Sequence, residues 1–428
     1  MDTGRDQMAY RTLKSIFHQR DRAGADAEER ARRDSPAAVH WDLLIGEHST
    51  FALMTPEVAA LIERIMSFEP KIRAEWNGLP ALARTHYLHR MVIDEIQATN
   101  EIEQVRSTRK EISEAIEMVW AEQPLANKRF AEMVRLYLNI GNDQAESPQT
   151  LDDIRDVYDA VTRGEIRDED APDGKRFRQG PVSITSGIKV VHTGVVPESA
   201  IDDALTLMLS QGGDDSIPRL IRAVVAHFIF EYTHPFYDGN GRTGRYLLAL
   251  DLRQVLAPYA SLALSATVAD NKDRYYKAFS DAENPLNRGD LTPYLIDMLE
   301  IIAEAQHRLL LDLSERRHKI DTLEARIRVL VEDEEFPLKL GLDRESTPPV
   351  DSNHIGAVLF TLGQAHCFEA NRAIKLNTLV EVVGRSSQFA RPRLQRLDDA
   401  GIIETVTKRP LRFRLTARGV SLLDLDGA

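Results

Sequence analysis

The sequence predicts a mainly α-helical protein that carries one internal β-hairpin and a separate C-terminal module. Three observations support this prediction. Apolar residues recur at helical spacing over most of the stretch from Thr55 to Leu330. The segment 182–195 breaks that period, because it alternates and is rich in β-branched residues, as is typical of a hairpin. Residues 333–353 combine Pro, Gly and acidic residues without any period, which predicts a linker.

Length, charge and cysteine content are those of an ordinary globular protein. The 428 residues leave room for two or three domains. A net charge of −13 argues against nucleic-acid binding by the chain as a whole, although a local basic face is compatible with it. No apolar run is long enough to span a bilayer, no signal peptide is visible, and the single cysteine, Cys367, excludes an intrachain disulfide. These features predict a cytoplasmic protein.

The expected elements follow the helical period. Helices are predicted over 55–68, 81–97, 108–119, 127–140, 150–164, 197–213, 217–232, 241–256, 272–283 and 291–330. The last stretch is long enough for one extended helix or a broken pair. In order, we expect a flexible or loosely helical segment (1–50), an N-terminal helical region (51–150), a core that holds the hairpin (151–310), a helix with the linker (311–350) and the C-terminal module (351–428).

The segment HPFYDGNGRTGR, residues 234–245, gathers a His, a carboxylate, three glycines, an Asn and two Arg between two predicted helices. Gly239 and Gly241 let the backbone reach positive φ and approach a ligand, so that successive N–H groups can point inward. The following helix directs its N-terminal N–H groups at the same place. Arg242 and Arg245 lie three residues apart and share a helix face, where two guanidinium groups suit a di- or triphosphate. The segment therefore predicts a polyphosphate site.

The other side chains of the segment suit chemistry at that phosphate. Asp238 offers the hard oxygen ligands that Mg²⁺ takes beside phosphates. Asn240 can hydrogen-bond a phosphate oxygen, and His234 is the kind of group that takes a proton from an incoming hydroxyl. Phe236 is expected to anchor the loop in the core. The residues before the segment follow a helical period and no Gly-Lys-Ser/Thr is present, so it is neither a Rossmann nor a Walker loop.

In their order, these residues resemble the signature of the Fic family, H-x-F-x-D/E-G-N-G-R-x-x-R. The matching positions are His234, Phe236, Asp238, Gly239, Asn240, Gly241, Arg242 and Arg245. The resemblance implies a Fic-type helical core that transfers AMP from ATP to a Ser, Thr or Tyr hydroxyl of a target protein. It implies that His234 deprotonates this hydroxyl and that Asp238 holds Mg²⁺. The glycine amides, Asn240 and Arg242 would bind the α- and β-phosphates, and Arg245 would bind the γ-phosphate.

A second stretch, ATNEIEQ, resembles the inhibitory helix of the family, whose pattern is S/T-x-x-x-E-G/N. Thr99 and Glu103 match this pattern, whereas Gln104 stands where Gly or Asn is usual. The resemblance puts the helix at about 94–106. A Glu paired with Arg245 would remove the cation that orients the γ-phosphate, so the protein is expected to inhibit itself through Glu103.

Two further features resemble the family near this site. The hairpin 182–195 lies where the family has a target-positioning flap, and its strand edge suits β-augmentation by an extended target segment. Tyr275 and Tyr276 resemble aromatic positions near the adenine, although one of the two is expected to be core. The expected nucleotide-binding residues are therefore Phe236, Gly239, Asn240, Gly241, Arg242, Arg245, Tyr275 and Tyr276. The whole resemblance covers roughly residues 50–310.

The C-terminal segment 376–418 resembles a winged helix-turn-helix. Its second helix and wing carry the basic residues Arg385, Arg391, Arg393, Arg396, Lys408, Arg409, Arg412 and Arg414, which suit phosphate contacts. From Asp351 onward the chain has 11 Lys and Arg against 8 Asp and Glu. Pro392 is tolerated only in the first turn of a helix, so the second helix is expected to start late. The module is expected to bind DNA or, with equal weight, a protein.

Three other functions are compatible with the sequence. The same site could remove AMP from a modified protein, with Glu103 positioning a water. It could instead transfer another group, such as UMP or phosphate. The chain could also be a non-enzymatic DNA-binding regulator that senses ATP, a function that the intact His234 and Asp238 disfavour. A homodimer is compatible with the sequence, and the target protein and its hydroxyl are not identified by it.

Overall fold

The computed structural model describes residues 10–120, 128–186, 189–211, 215–333, 335–339, 352–368, 372–384 and 386–425. The helices are α1 (Leu13–Gln19), α2 (Arg22–Arg33), α3 (Pro56–Gly78), α4 (Ala81–Ile102), α5 (Arg109–Trp120), α6 (Ala131–Gly141), α7 (Leu151–Val161), α8 (Glu198–Ser210), α9 (Arg219–Thr233), α10 (Asn240–Leu252), α11 (Leu264–Asp270), α12 (Lys272–Ala282), α13 (Thr292–Glu332), α14 (Phe336–Lys339), α15 (Ser352–Phe368), α16 (Leu376–Val383), α17 (Ser387–Asp399) and α18 (Ala417–Leu422). The protein is thus mainly helical, as predicted, and the stretch predicted as one helix or a broken pair is the single helix α13.

The strands form three antiparallel sheets. They are β1 (Ala38–Ile45), β2 (His48–Leu53), β3 (Ser183–Ser186), β4 (Lys189–Thr193), β5 (Ile374–Lys375), β6 (Ile403–Lys408) and β7 (Leu411–Leu415). β1 pairs with β2, β3 pairs with β4, and the C-terminal sheet has the order β5-β7-β6. The predicted internal hairpin is β3 and β4, and its turn at 187–188 lies outside the described residues.

The expectation of a flexible or loosely helical segment at 1–50 is corrected for the part that the structure describes. Residues 10–50 contain α1, α2 and most of the hairpin β1–β2. Phe51 of β2 is fully buried, and its N–H donates to the Gly289 carbonyl at 2.9 Å. Arg32 of α2 forms an ion pair with the buried Asp290 at 2.9 Å. The partners are more than 230 residues apart in sequence, so no local period could reveal them.

The helices α9 and α10 lie in the core and carry the loop 234–239 between them. Almost every residue of α9 is buried, including the polar Arg222 and His227. A helix that is apolar on nearly all sides must be surrounded by protein. Phe228 packs edge-on against Tyr294 of α13, with 5.0 Å between the ring centroids. The loop is therefore mounted on two helices that the core holds in place.

The C-terminal segment begins with α15 and continues through β5, α16, α17 and the antiparallel pair β6–β7. Gly384 follows α16 with φ of 65°. The expectation that the next helix starts late is wrong: α17 begins at Ser387, capped by Ser386, and Pro392 lies in its interior. Pro392 leaves the carbonyl of Gln388 without its helical partner, and Gln388 is exposed, so water can satisfy this carbonyl.

Two of the predicted basic contacts of this segment are used within the chain. The Arg393 guanidinium lies 3.4 Å from the centroid of the Phe389 ring, and Arg414 forms an ion pair with Glu404. Arg385 and most of the predicted linker lie outside the described residues.

The contacts divide the chain into two compact units. One consists of Met1–Pro70 and Met91–Leu309, and the other of Lys71–Arg90 and Leu310–Ala428. The predicted phosphate loop and the predicted inhibitory residues all belong to the first unit. Across the described ranges, we find no helix with the length and apolar character that crossing a bilayer requires.

Candidate active site

The loop between α9 and α10 turns on two residues with left-handed backbone. His234 ends α9 with φ of 50°, and its N–H donates to the Phe230 carbonyl at 2.9 Å. Gly239 precedes α10 with φ of 82°, and a Cβ there would lie 2.6 Å from Thr162 Cγ2. Both the backbone and the available space therefore require glycine at position 239. The first N–H groups of α10, which have no partner within the helix, follow directly.

Two residues predicted to bind the nucleotide hold this loop together. The Asn240 Oδ1 accepts from the Phe236 N–H at 2.9 Å, and its Nδ2 donates to the Phe236 carbonyl at 2.8 Å. Phe236 is fully buried, and its ring stacks on Tyr158 with 3.6 Å between centroids. Phe236 is thus the core anchor that was expected from the sequence. Both ends of the Asn240 amide bind loop backbone, and its expected contact with a phosphate stays a prediction.

A buried arginine that the sequence analysis did not select ties the loop to the hairpin. Arg178 has no exposed surface, and its guanidinium donates to the carbonyls of His234 (2.8 Å), Gly180 (2.7 Å), Val195 (2.9 Å) and Thr233 (3.3 Å). Charge-assisted bonds of this kind are stronger than neutral ones. Arg178 therefore fixes the backbone of His234, the predicted base, and the chain just before β3 and just after β4. No sequence period marks it.

The predicted γ-phosphate ligand, Arg245, is buried and clamped by the end of α4. Its Nε donates to Thr99 Oγ1 at 2.8 Å, and its Nη2 donates to the Thr99 carbonyl at 3.1 Å and to Glu103 Oε1 at 2.8 Å. Thr99 and Glu103 lie one turn apart, so both reach the same guanidinium. Burial acts to lower the pKa of Arg245, but Glu103, Tyr275 and Glu231 together outweigh it and the pKa is raised. The geometry thus brings together three residues that the sequence analysis connected.

The end of α4 next to Glu103 has an unusual backbone. Gln104 has φ of 58°, in the left-handed region that favours glycine or asparagine. The turn closes with a hydrogen bond from the Val105 N–H to the Asn100 carbonyl at 2.8 Å, a pattern found at helix C-termini. Residue 104 therefore needs a left-handed backbone, and the family pattern has Gly or Asn at this position. Gln104 adopts this backbone at a conformational cost.

The second arginine of the loop, Arg242, is also held by a carboxylate. Its Nη1 contacts the Glu165 carboxylate, and Glu165 forms a further ion pair with Arg129 at 2.9 Å. Both Arg242 and Glu165 are almost completely buried. Glu165 was not predicted from the sequence, because it follows α7 with no motif around it. In this state both loop arginines are therefore engaged by carboxylates of the same chain.

Burial gives two groups beside the loop unusual protonation. It lowers the pKa of His234 to about 3, with smaller effects from His192 and Arg178, so the imidazole is neutral at pH 7 and has a lone pair for a proton. Burial also raises the pKa of Glu231 to about 8. Arg245 acts to lower this pKa, and Glu103 acts to raise it further. Glu231, which the sequence analysis did not select, is therefore a neutral acid at pH 7 in the same cluster.

Asp238 is the exposed carboxylate of the loop. Its Oδ1 accepts from the Gly239 N–H at 2.6 Å, which fixes the orientation of the side chain. Within the described residues, no group of three or more His, Cys, Asp and Glu side chains could hold a metal ion. Mg²⁺ is usually held by one or two carboxylates together with waters and substrate phosphates, so a single oriented Asp beside a phosphate site fits this ion.

The two tyrosines of the predicted adenine region have different environments. Tyr275 is buried, and its hydroxyl donates to His227 Nε2 at 2.8 Å, so it is the member of the pair that belongs to the core, as was expected of one of the two. His227 Nδ1 lies 3.1 Å from the Gly244 carbonyl oxygen. Because a carbonyl only accepts, Nδ1 carries the proton, and Nε2 accepts the hydrogen bond from Tyr275. Tyr276 is 44% exposed, with Lys272 Nζ 5.7 Å from its ring centroid. Of the pair, only Tyr276 offers a ring face to a ligand.

The chain is similar to known proteins over part of its length. Residues 148–252 match the model of the Fic/DOC family, and both the loop and Arg178 lie within these residues. The chain is similar to the protein adenylyltransferase fic-1 of Caenorhabditis elegans, with 28% identity over 148 residues. The Caenorhabditis briggsae protein of the same name is 27% identical over the same length. Each match covers 34% of this chain and only 26% of the relative.

Among solved structures, the chain is similar to a Fic family protein from Desulfovibrio desulfuricans G20, with 21% identity, a TM-score of 0.48 and coverage of 85% of this chain and 97% of that one. It is also similar to residues 134–508 of Fic-1 from C. elegans, with 20% identity, a TM-score of 0.44 and coverage of 71% and 81%.

Proposed function

We propose that the protein transfers AMP from ATP to a Ser, Thr or Tyr hydroxyl of a target protein and that Glu103 inhibits this reaction. The observation that carries the proposal is the contact between Glu103 and Arg245, at 2.8 Å, beside a glycine-bounded helix N-terminus and a neutral histidine. The match of residues 148–252 to the Fic/DOC family and the similarity to fic-1 proteins support a transferase.

Each part of the site has a role in this proposal. The N–H groups at the start of α10 and Arg242 would bind the α- and β-phosphates, since a helix N-terminus and a buried cation both favour anions. Arg245 would bind the γ-phosphate, and the exposed ring of Tyr276 would stack on the adenine. Asp238 would hold Mg²⁺, which neutralises phosphate charge when it is bound.

His234 would act as the general base. Its neutral imidazole would take the proton from the target hydroxyl while the oxygen forms a bond to the α-phosphorus of ATP. The bond from that phosphorus to the bridging oxygen breaks, and pyrophosphate leaves with the electron pair. Arg178 would keep the base in position through the His234 carbonyl.

The inhibition follows from competition for one guanidinium. With Glu103 in contact, two of the Arg245 nitrogens are used within the chain, and the carboxylate lies against Gly241. A γ-phosphate at Arg245 would meet a carboxylate there, and like charges at contact distance repel. ATP would then bind weakly or in a pose unsuited to in-line attack, until the end of α4 moves away.

The test is label transfer from α-³²P-ATP and Mg²⁺ to proteins of a cell lysate. Glu103→Gly is expected to label one or more proteins far more strongly than wild type, and Glu103→Gly/His234→Ala should abolish the label. Glu101→Gly is the matched control, because Glu101 is an exposed residue of the same helix end and its replacement introduces the same glycine cost without touching Arg245.

The outcomes separate the alternatives. Label in Glu103→Gly but not in Glu101→Gly would support both the activity and the inhibition. No label in either variant while ATP binds would overturn AMP transfer, and the same assay with UTP or γ-³²P-ATP would then test transfer of UMP or phosphate. An ATP-sensing DNA-binding regulator predicts instead that sequence-selective DNA binding through 376–418 persists in His234→Ala without labelled protein.

Removal of AMP is a second candidate, which the position of Glu103 favours. The Glu103 carboxylate is partly exposed and lies against Gly241, at the expected phosphate position, where it could orient a water. A labelled target from the Glu103→Gly reaction should then lose label when it is chased with wild-type protein. Stable label during the chase would exclude this second candidate for that target.

A further inference from the structure

A cavity of about 300 Å³ lies between α8, α9, α10 and the segment 147–149. Its described lining joins apolar and charged side chains, among them Met208, Leu247, Arg219, Arg222 and Asp251. This volume lies at the lower end of the range of small-molecule sites, which are mostly apolar with a few polar groups that orient the ligand. None of the described residues of the lining belongs to the loop 234–239, so the cavity is separate from that loop.

Asp251 contributes to this lining a carboxyl group for which the fold supplies no partner. Within the part of the chain that the structure describes, it forms no hydrogen bond or ion pair through its side chain. Burial raises its pKa to about 7, and no neighbouring charge or hydrogen-bond donor offsets this effect. A polar group that leaves water without gaining a partner lowers the stability of the native state, and few native groups are left in this way. A ligand in the cavity would supply the missing donor.

The two arginines of the lining do not neutralise this carboxyl group. Arg222 donates to the Gln211 carbonyl at 3.0 Å and forms an ion pair with Asp215 at 3.3 Å. Arg219 is exposed to solvent. Neither arginine contributes to the pKa of Asp251. Among the described residues, therefore, no cation accompanies the carboxyl group in a partly apolar cavity.

We infer that this cavity binds a small organic cation, with an ammonium, amidinium or guanidinium group on an apolar body, and that Asp251 is its counter-ion. The cationic group donates hydrogen bonds to the carboxylate, and charge-assisted bonds are about twice as strong as neutral ones. The apolar body packs against Met208 and Leu247. Since this ligand does not involve the loop 234–239, the inference is independent of the proposed function.

Binding of such a cation is coupled to one proton. Asp251 releases its proton to water before the carboxylate pairs with the ligand, so protons and ligand compete below about pH 7. Arg219 and Arg222 are the other charged residues of the described lining, and they keep their charge throughout this range. The affinity for a cation should therefore rise about tenfold per pH unit up to about pH 7 and then level off.

The test is calorimetric titration with benzamidine, whose amidinium group stays charged throughout this range, and with benzamide, which has a similar shape without the charge. Benzamidine is expected to bind at millimolar concentration or below, with a Kd that falls as the pH rises to about 7. Benzamide should show no such fall. Asp251→Asn should raise the Kd of benzamidine about 30-fold or more, because the partner of a buried charge is lost. Two exposed carboxylates provide the controls: Asp203→Asn in α8 and Asp238→Asn in the loop should leave this Kd unchanged.

Benzylamine and butylguanidine repeat the titration with the other two cationic groups. Failure of all three cations to bind at millimolar concentration would overturn the inference. Equal affinity in Asp251→Asn and wild type, or loss of binding in Asp238→Asn, would also overturn it.

A measurement on wild-type protein covers the case in which Asp251→Asn does not fold. In protein labelled with ¹³C-aspartate, one carboxyl carbon should titrate near pH 7, and saturating benzamidine should lower its midpoint by about one pH unit or more. A midpoint that benzamidine does not move would contradict the assignment of Asp251 as the counter-ion.

Discussion

The ammonium group of Lys272 donates a hydrogen bond to the carbonyl oxygen of Ile102 at 2.7 Å. Ile102 is the last residue of α4 and Glu103 follows it, so a residue at the start of α12 caps the helix end next to the carboxylate that is proposed to inhibit. A cation at a helix C-terminus satisfies a carbonyl that has no partner within the helix and interacts favourably with the helix dipole.

Lys272→Met should loosen this helix end, because it keeps most of the aliphatic chain and removes the charge. A net hydrogen bond from a charged donor is worth about 1.5–3 kcal/mol. We therefore expect amide hydrogen exchange of residues 100–105 to accelerate by roughly 10- to 150-fold, since about 1.4 kcal/mol corresponds to a factor of ten. Lys277→Met, in the same helix with a surface partner, serves as the control. The same exchange rates in both variants would show that Lys272 does not hold the helix end.

Gln104→Gly should stabilise the same helix end, because glycine adopts a φ of 58° without the steric cost that glutamine bears. Gln104→Ala keeps that cost and is the matched comparison. We expect the glycine variant to exceed the alanine variant by about 1 kcal/mol in free energy of unfolding, measured by urea denaturation. An alanine variant as stable as the glycine variant would mean that the left-handed backbone of residue 104 carries no cost.

Glu231→Gln should remove a pH-dependent loss of stability. Burial raises the pKa of Glu231 from its ordinary 4.5 to about 8. Between these values the native chain keeps a proton that the unfolded chain releases, so this group's contribution to stability is complete below about pH 4.5 and is lost as the pH rises to 8. The stability of Glu231→Gln relative to wild type should therefore increase from pH 5 to pH 8 and then level off. Urea midpoints across this range test it, with Glu101→Gln as an exposed control, and a constant difference would contradict it.

Tyr276→Ala should weaken ATP binding, because it removes the exposed ring proposed to stack on the adenine. Stacking of a base on an aromatic side chain is worth about 1–3 kcal/mol, so the Kd measured by calorimetry in the Glu103→Gly background should rise about 5- to 150-fold. Tyr275→Phe should leave this Kd nearly unchanged and lower the stability, since it deprives the buried His227 of its donor. A larger effect on Kd from Tyr275→Phe would reverse the assignment.

The sequence predicted the parts of the site whose chemistry is local. The loop from His234 to Arg245 is one short segment, and the order of its glycines, arginines and histidine was enough to predict a polyphosphate site. The pairing of Glu103 with Arg245 was also predicted, through the resemblance and not through any period. The positions of the helices from α3 to α10 and of α12 followed from apolar spacing, and α13 is the extended helix that was one of the two predicted alternatives.

The parts that could not be predicted depend on contacts between distant segments. Arg178 and Glu165 act through partners that lie 55 to 77 residues away. The same holds for β1–β2, whose burial depends on the loop at Gly289. Asn240 and Tyr275 likewise have partners within the chain that the sequence does not predict: the Phe236 backbone for the Asn240 amide and His227 for the Tyr275 hydroxyl.

The pairing of both loop arginines with carboxylates of the same chain has a consequence for the kinetics of the proposed ATP binding. With Arg242 held by Glu165 and Arg245 held by Glu103, little net positive charge remains at the loop to attract a nucleotide over a distance. Electrostatic attraction of this kind accelerates encounter and weakens with added salt. Loss of Glu103 would therefore first appear as a faster, salt-sensitive association of ATP, so that the rate at which the nucleotide arrives is itself under the control of the end of α4.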